Sequence, residues 1–310
     1  MTVTSKDVLV IGGANWDHLL LADRLPEDGE TRRGSRYLQA PGGKGANQAM
    51  AAARLGASTA LVGRIGDDAG GRACRRALRG AGVDLAGLLT SAGEATGTAL
   101  VHVGGDGEKR ILAVPGANGL VTVADVLAGC ARFRPPAVSL LSFECGAAVA
   151  GAAIAHLRSQ GSLVILDPSP AEGISDEALR QVAVIKPDAE EAHALTGVRV
   201  SDRSTAATAA RKLLERGVGA AVVQAGAGGD LLVDRDGELW LPRLTVDAVD
   251  ATGAGDAFVA TIAAYLAAGS DLRAAARAGS AAAALATRAL GAQASLASRE
   301  EISQLLDATS

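Results

Sequence analysis

Short apolar runs alternate with stretches of helical spacing along most of this chain. Val8–Ile11 is wholly apolar and closed by Gly12-Gly13, which predicts a buried strand. Lys44 to Leu55 predicts a helix stopped by Gly56, Ala60–Val62 a second strand, and Ala69–Leu78 a helix stopped by Gly80 and Gly82. From Val121 onward, helical segments alternate with the apolar runs Val138–Leu141, Leu163–Leu166, Val182–Ile185 and Ala220–Val223. Such alternation predicts βαβ units: an α/β fold with a mostly parallel central sheet and helices on both faces, a three-layer sandwich. Leu231–Val233 and Glu238–Leu241 flank Asp234-Arg235-Asp236-Gly237 and predict a hairpin, after which the chain reads as mainly helical.

Two segments break this rhythm. Residues near 15–40 and 96–114 read as extended, polar-flanked strands, the second with a turn at Gly104-Gly105-Asp106-Gly107. They fit either a small sheet over a substrate cleft or ordinary surface hairpins. No internal repeat, low-complexity linker or long charge run divides the chain, so residues 1–310 read as one domain.

Composition narrows the function classes. Apolar residues make up 48% of the chain, enough for a large core, while the net charge is −4 and aromatic residues are 2%. A nucleic-acid binder would carry a cationic face or stacking aromatics, and neither is present. Cys74, Cys130 and Cys145 are widely spaced, which suits a reducing compartment. The start lacks the pattern of a signal peptide, and alanine-rich stretches such as Ala257–Ala268 are too short for a membrane span. The expectation is a soluble cytoplasmic protein without nucleic-acid or membrane partners. Lysine is scarce: Lys6, Lys44, Lys109, Lys186 and Lys212 are the full set. A lysine within a glycine loop therefore draws notice.

The chemistry concentrates in two glycine-rich segments, Gly42-Gly43-Lys44-Gly45-Ala46-Asn47 and Asp250-Ala251-Thr252-Gly253-Ala254-Gly255-Asp256, each opening a predicted helix. A helix N-terminus carries partial positive charge and unpaired N–H groups, so it attracts phosphate. A γ-phosphoryl group held around Gly253–Gly255 would meet preorganised donors, and Asp256 could take the proton of an attacking alcohol. The same residues also fit a simple capped helix. Asn15 and Asp17 follow the first strand two positions apart, on one side of an extended chain, and offer a donor and acceptor set for adjacent sugar hydroxyls, or form a turn. Glu144, past a strand end, fits a hydroxyl acceptor or a cap. Asp188 and Glu191 share one face of a helix start and fit either magnesium or capping. The G-x-x-x-x-G-K-[ST] phosphate loop is absent, and the four histidines lack metal-ligand spacing.

Together these segments resemble the ribokinase family of carbohydrate kinases over nearly the whole chain. Both family signatures are present in order, GGKGANQA at Gly42–Ala49 and DATGAGD at Asp250–Asp256. The opening GANWD, PGAN at Pro115–Asn118 and GAQ at Gly291–Gln293 follow the wording of the family's namesake. The resemblance implies that Asn15, Asp17, Gly43, Lys44, Gly45, Ala46, Asn47 and Glu144 hold the sugar, with Asp256 as catalytic base and Gly253, Ala254 and Gly255 as the anion hole. It implies an ATP site of Asp188, Gln224, Ala225, Gly226, Ala227, Gly228, Gly229, Gly255, Asp256 and Ser280. It also implies a potassium site at Asp250, Thr252, Ala286, Ala289, Gly291 and Ser295, and magnesium held indirectly through Glu191. The inserted strands match the family's lid, which pairs between subunits, so a homodimer is expected.

Two positions depart from the family pattern: Asp188 stands where asparagine is usual, and the ATP loop lacks its usual hydroxyl residues. The expected activity is ATP-dependent phosphorylation of a pentose, D-ribose at its 5-hydroxyl. The alternatives are another sugar or nucleoside kinase of the same fold, and a sugar sensor with an impaired ATP site.

Overall fold

The computed structural model describes residues 4–104, 109–171 and 173–309. In chain order the first half contains β1 (Val8–Ile11), β2 (Asn15–Leu21), β3 (Arg36–Gly42), α1 (Lys44–Arg54), β4 (Thr59–Gly66), α2 (Ala69–Gly80), β5 (Leu88–Ser91), β6 (Thr98–Val103), β7 (Lys109–Val114) and α3 (Val123–Cys130). There follow β8 (Val138–Ser142), α4 (Ala147–Ser159), β9 (Leu163–Asp167), α5 (Asp176–Leu179), β10 (Val184–Ile185), α6 (Ala189–Thr196), α7 (Arg203–Glu215) and β11 (Ala220–Gln224). The chain ends with β12 (Gly229–Asp234), β13 (Gly237–Pro242), α8 (Ala254–Ala267), α9 (Leu272–Ala286) and α10 (Arg299–Ala308).

A nine-stranded sheet runs in the order β13-β12-β11-β10-β9-β8-β1-β4-β5. From β11 to β5 every pairing is parallel, and the β12–β13 hairpin closes one edge antiparallel. Side chains alternate between the faces, so each apolar strand feeds two cores. Leu9, Ile11, Leu141, Leu166 and Val223 pack with α3, α4, α6 and α7. Val8, Val10, Leu140, Ile165 and Val222 pack with α1, α2, α8 and α9. The three-layer α/β expectation holds.

The interrupting segments form a separate four-stranded sheet, β3-β2-β6-β7. Here β2 pairs antiparallel with β3 and parallel with β6, and β6 pairs antiparallel with β7. The turn expected at Gly104-Gly105-Asp106-Gly107 lies, from Gly105 onward, outside the described residues. One face of this sheet buries Leu19, Ala99 and Val101 against Leu290.

Strand order reverses at β1, which lies between β4 and β8. In parallel sheets the crevice beyond the strand ends at such a point is where ligands bind. Gly45, in the first turn of α1, closes on the end of β1: a Cβ there would come within 2.5 Å of the Gly12 carbonyl carbon. Only glycine permits that approach.

Candidate active site

The carboxyl ends of five strands deliver the polar side chains. Gly13 to Asn15 follow β1, Glu144 sits on a 3-10 turn after β8, Asp167 ends β9, Lys186 to Asp188 follow β10, and Gln224 ends β11. Above them stand the N-termini of α1 and α8. A cleft of about 750 Å³ opens beside them, bounded by Lys44, Asp167, Glu191, Gln224, Gly255 and Asp256, with Ser280 on its far wall.

On one side of Asp256 lies the expected sugar set. Asn15 Oδ1 accepts from Asn118 Nδ2 at 2.8 Å, and Asp17 Oδ1 accepts from the Ala99 amide at 3.2 Å. Glu144 Oε2 accepts from the Gly13 amide at 3.1 Å and the Gly45 amide at 3.4 Å. Gly43 caps α1 with φ of 85°. Ala46 is the exception: it is packed into the core, and its N–H already donates to the Gly13 carbonyl.

Asp256, in the first turn of α8, is buried and takes an amide on each oxygen, from Asn47 Nδ2 at 2.9 Å and Gln48 Nε2 at 3.0 Å. Burial pushes its carboxyl up to about 7; Lys44 opposes the rise, and Asp167 and Glu144 add to it. Burial likewise lifts Asp17 to about 7, against its bond from Ala99 and with Glu144 nearby. Glu144 and Glu191 are also raised, chiefly by desolvation. Burial works against the Lys44 ammonium, yet Asp167, Asp256 and Glu191 outweigh it and hold its pKa above the ordinary value.

On the nucleotide side, Gly253 caps α8 in the left-handed region, at φ 81°. Helix geometry leaves the first-turn N–H groups without intrahelical acceptors. That of Ala254 bonds to the Ala251 carbonyl at 3.3 Å, while Gly255 and Asp256 follow it in the same first turn. In the Gln224–Gly229 loop, Gln224, Gly226 and Gly229 line the cleft. Ala225 is buried and bonded to the Gly229 carbonyl, Gly228 lies against Trp240, and Ala227 is exposed.

Asp188 and Glu191 form a capping box on α6, with the Glu191 amide donating to Asp188 Oδ1 and the Asp188 amide to Glu191 Oε2. The remaining Glu191 oxygen faces Lys44 Nζ at 3.8 Å. Behind the anion hole, Asp250 accepts from the Thr252 amide and hydroxyl and from the Gly291 amide. Ser295 donates to the Ala286 carbonyl at 2.6 Å, and Ala289 lies half-buried in the same loop. These contacts join Asp250, Thr252 and Gly291 in one group and Ala286 and Ser295 in another.

The site includes residues outside the expected set, Lys186 and Arg243 on the cleft wall among them. Asp167 and Gln48 touch Lys44 and Asp256, and Asn118 locks Asn15. Gln293 donates to Asn47 Oδ1 at 2.9 Å.

A family model for the pfkB family carbohydrate kinase matches residues 5–299. The chain belongs to the pfkB family of carbohydrate kinases. It is 34% identical over 303 residues to the ribokinase of Haemophilus influenzae, covering 97% of this chain and 99% of that protein. It is 30% identical over 301 residues to the deoxyribokinase of Salmonella typhi, covering 97% of this chain and 98% of the relative. Among solved structures, Arabidopsis thaliana ribokinase complexed with ribose and ATP superposes with a TM-score of 0.86 at 30% identity, covering 98% of this kinase and 99% of that chain.

Proposed function

We propose that this chain transfers the γ-phosphoryl group of ATP to the 5-hydroxyl of D-ribose. The observation that carries this is the placement of Asp256: a buried acid at a helix N-terminus, held on both oxygens by amides of the sugar-side signature. Asn15, Asp17, Asn47 and Glu144 would orient the pentose with its primary hydroxyl toward Asp256. As phosphorus bonds to that oxygen, its bond to the bridging β,γ-oxygen breaks, ADP leaves with that electron pair, and the hydroxyl proton passes to the Asp256 carboxylate. Negative charge on the phosphoryl group meets the Gly255 and Asp256 N–H groups and the positive end of α8. A base with a pKa near 7 is matched to neutral operation. Likeness to the Arabidopsis ribokinase with its ribose and ATP supports the substrate pair.

ATP fits the cleft, since a Cβ on Gly255 would meet nothing within 4 Å and Gly226, Gly229, Ala251 and Gly253 leave room beside the larger Arg243, Leu244 and Val246. Among the described residues no group of three or more His, Cys, Asp or Glu could cage a metal. That suits magnesium, which arrives on phosphates and uses one or two carboxylates; Glu191 is the candidate. Magnesium would neutralise phosphate charge. Potassium would take the oxygen-rich loop of Asp250, Thr252, Ala286, Ala289, Gly291 and Ser295 and stiffen the anion hole.

The small sheet is the lid over the sugar. Register places Tyr37, Leu100, Leu112 and Val114 on its outer face, all exposed. An apolar face of this kind supports pairing with a second copy. Three free, buried cysteines accord with the cytoplasm, and among the described residues no helix is long and apolar enough to cross a membrane.

The test is a panel of ribose, deoxyribose, fructose and nucleosides with ATP and magnesium. Ribose should give the highest kcat/KM, with the new phosphoester on the 5-oxygen by phosphorus NMR. Absence of turnover on ribose would overturn the reading.

A further inference from the structure

We propose that Asp167 is a positioning residue for phosphoryl transfer, acting on Lys44 directly and on Asp256 through Gln48. The inference rests on the reading of Asp256 as the base.

The contacts form one continuous chain. Lys44 Nζ lies 2.9 and 3.0 Å from the two carboxylate oxygens of Asp167. Gln48 Nε2 lies 2.7 Å from Asp167 Oδ2 and 3.0 Å from Asp256 Oδ1. Asp167 is 3% exposed, so its charge needs these partners. It ends β9 while Lys44 and Gln48 sit one turn apart on α1, so one carboxylate fixes two side chains of the same helix face.

The Gln48 amide shows which way the constraint runs. Its nitrogen has two hydrogens and spends one on each carboxylate. Turning the amide over would set Oε1 against both acids. That oxygen is buried and has no partner. Buried carbonyls are rarely left unpaired, so the two acids dictate the orientation. Asp256 is thereby held in one rotamer, while Lys44 is kept at the mouth of the cleft that the phosphates would enter.

The charges around Asp256 come from three elements: Lys44 on α1, Asp167 on β9 and Glu144 after β8. The amides of Asn47 and Gln48 complete its surroundings. Removing Asp167's charge and removing Gln48's donor should therefore move the base in opposite directions.

The experiment measures kcat, and kcat/KM against pH, for Asp167→Asn, Gln48→Ala and Asp256→Asn. Asp167→Asn should lose roughly 10²-fold in kcat through misalignment, with its acid limb moved to lower pH. Gln48→Ala should lose kcat too, with its acid limb moved to higher pH. Wild-type kcat and limb in Asp167→Asn would overturn the inference. So would recovery of that variant by raised free magnesium, which would make Asp167 a metal contact. If Asp167→Asn does not fold, the Gln48→Ala limb decides, and an unmoved limb overturns the proposal. Normal turnover of Asp256→Asn would instead sink the parent reading.

Discussion

Asn47 Nδ2 donates to Asp256 Oδ2 across 2.9 Å, joining residues 209 positions apart. The two glycine-rich signatures thus meet at one point, and under the proposed function the first orients the base that the second supplies. A hydrogen bond to a charged group contributes about 1.5–3 kcal/mol. Asn47→Ala should lower kcat by roughly 10- to 100-fold, and it also strips Gln293 of its acceptor. Asp256→Asn should lose roughly 10²- to 10⁴-fold in kcat while calorimetry shows ribose still binding.

Asp17 and Asp256 carry folded-state pKa values raised from 3.8 to about 7. For such acids the folded state binds more protons than the unfolded chain between those values. Their contribution to stability is therefore full below pH 3.8 and lost as pH rises through about 7. Asp125, held at about 2 first by its bond from Arg64, works oppositely, its stabilisation being lost as pH falls through that value. Urea midpoints should fall between pH 5 and 7.5, and Asp17→Asn should flatten that slope. Over the same range kcat/KM should climb, because the base must be ionised to act. A midpoint independent of pH, or a flat rate profile, would contradict these assignments.

Two glycines separate folding from catalysis. Gly45→Ala drives a Cβ into Gly12 backbone, with contacts of 2.5 and 2.7 Å that no side-chain motion relieves. It should cost about 1–3 kcal/mol of stability in urea unfolding. Gly255→Ala meets nothing within 4 Å and lies in a helix, where alanine is the better former by roughly 0.5–1 kcal/mol. That variant should unfold no more easily than wild type, yet raise the KM for ATP by crowding the phosphate.

The centre of the main sheet was legible because its strands are short apolar runs. Val8–Ile11 matches its predicted limits, and β8, β9 and β11 each extend one residue further, onto a polar strand end. That one residue mattered: the run Leu163–Leu166 stops just short of Asp167. The strand β5 escaped notice because Leu88-Leu89-Thr90-Ser91 is a half-polar edge. The apolar run begins at Val182, but the Val182 N–H closes a turn onto Leu179 and the ladder begins at Val184. Partnering in the small sheet was not readable, since β2 takes β6 from far along the chain by register alone. Gln48 stood inside the first signature, yet its role exists only once α1 docks against β9 and α8. Spacing left Asp188 and Glu191 open between cap and metal, and the structure shows the cap.

The two loops that carry Asp250 and, past α9, Gly291 and Ser295 predict an ion effect. Turnover should be faster in potassium than in sodium at equal ionic strength. Asp250→Ala should abolish that difference and leave ribose binding intact. Equal rates in both salts would remove the cation site from the proposal.

The outer face of the small sheet predicts assembly. Sedimentation equilibrium should report a dimer, and Leu112→Asp, at a side chain 69% exposed in the single chain, should yield monomers with a raised KM for ribose. A monomeric wild-type protein would exclude pairing through this face.

The bond from α1 to α8 carries a consequence for biosynthesis. A chain emerging from the ribosome carries every strand of the main sheet, and the first glycine turn, before residue 256 is made. Until then Asn47 and Gln48 have no Asp256 carboxylate to hold, and under the proposed function the incoming alcohol would have no proton acceptor. Under the proposed function the growing polypeptide would stay chemically silent toward its substrates until its late helices dock.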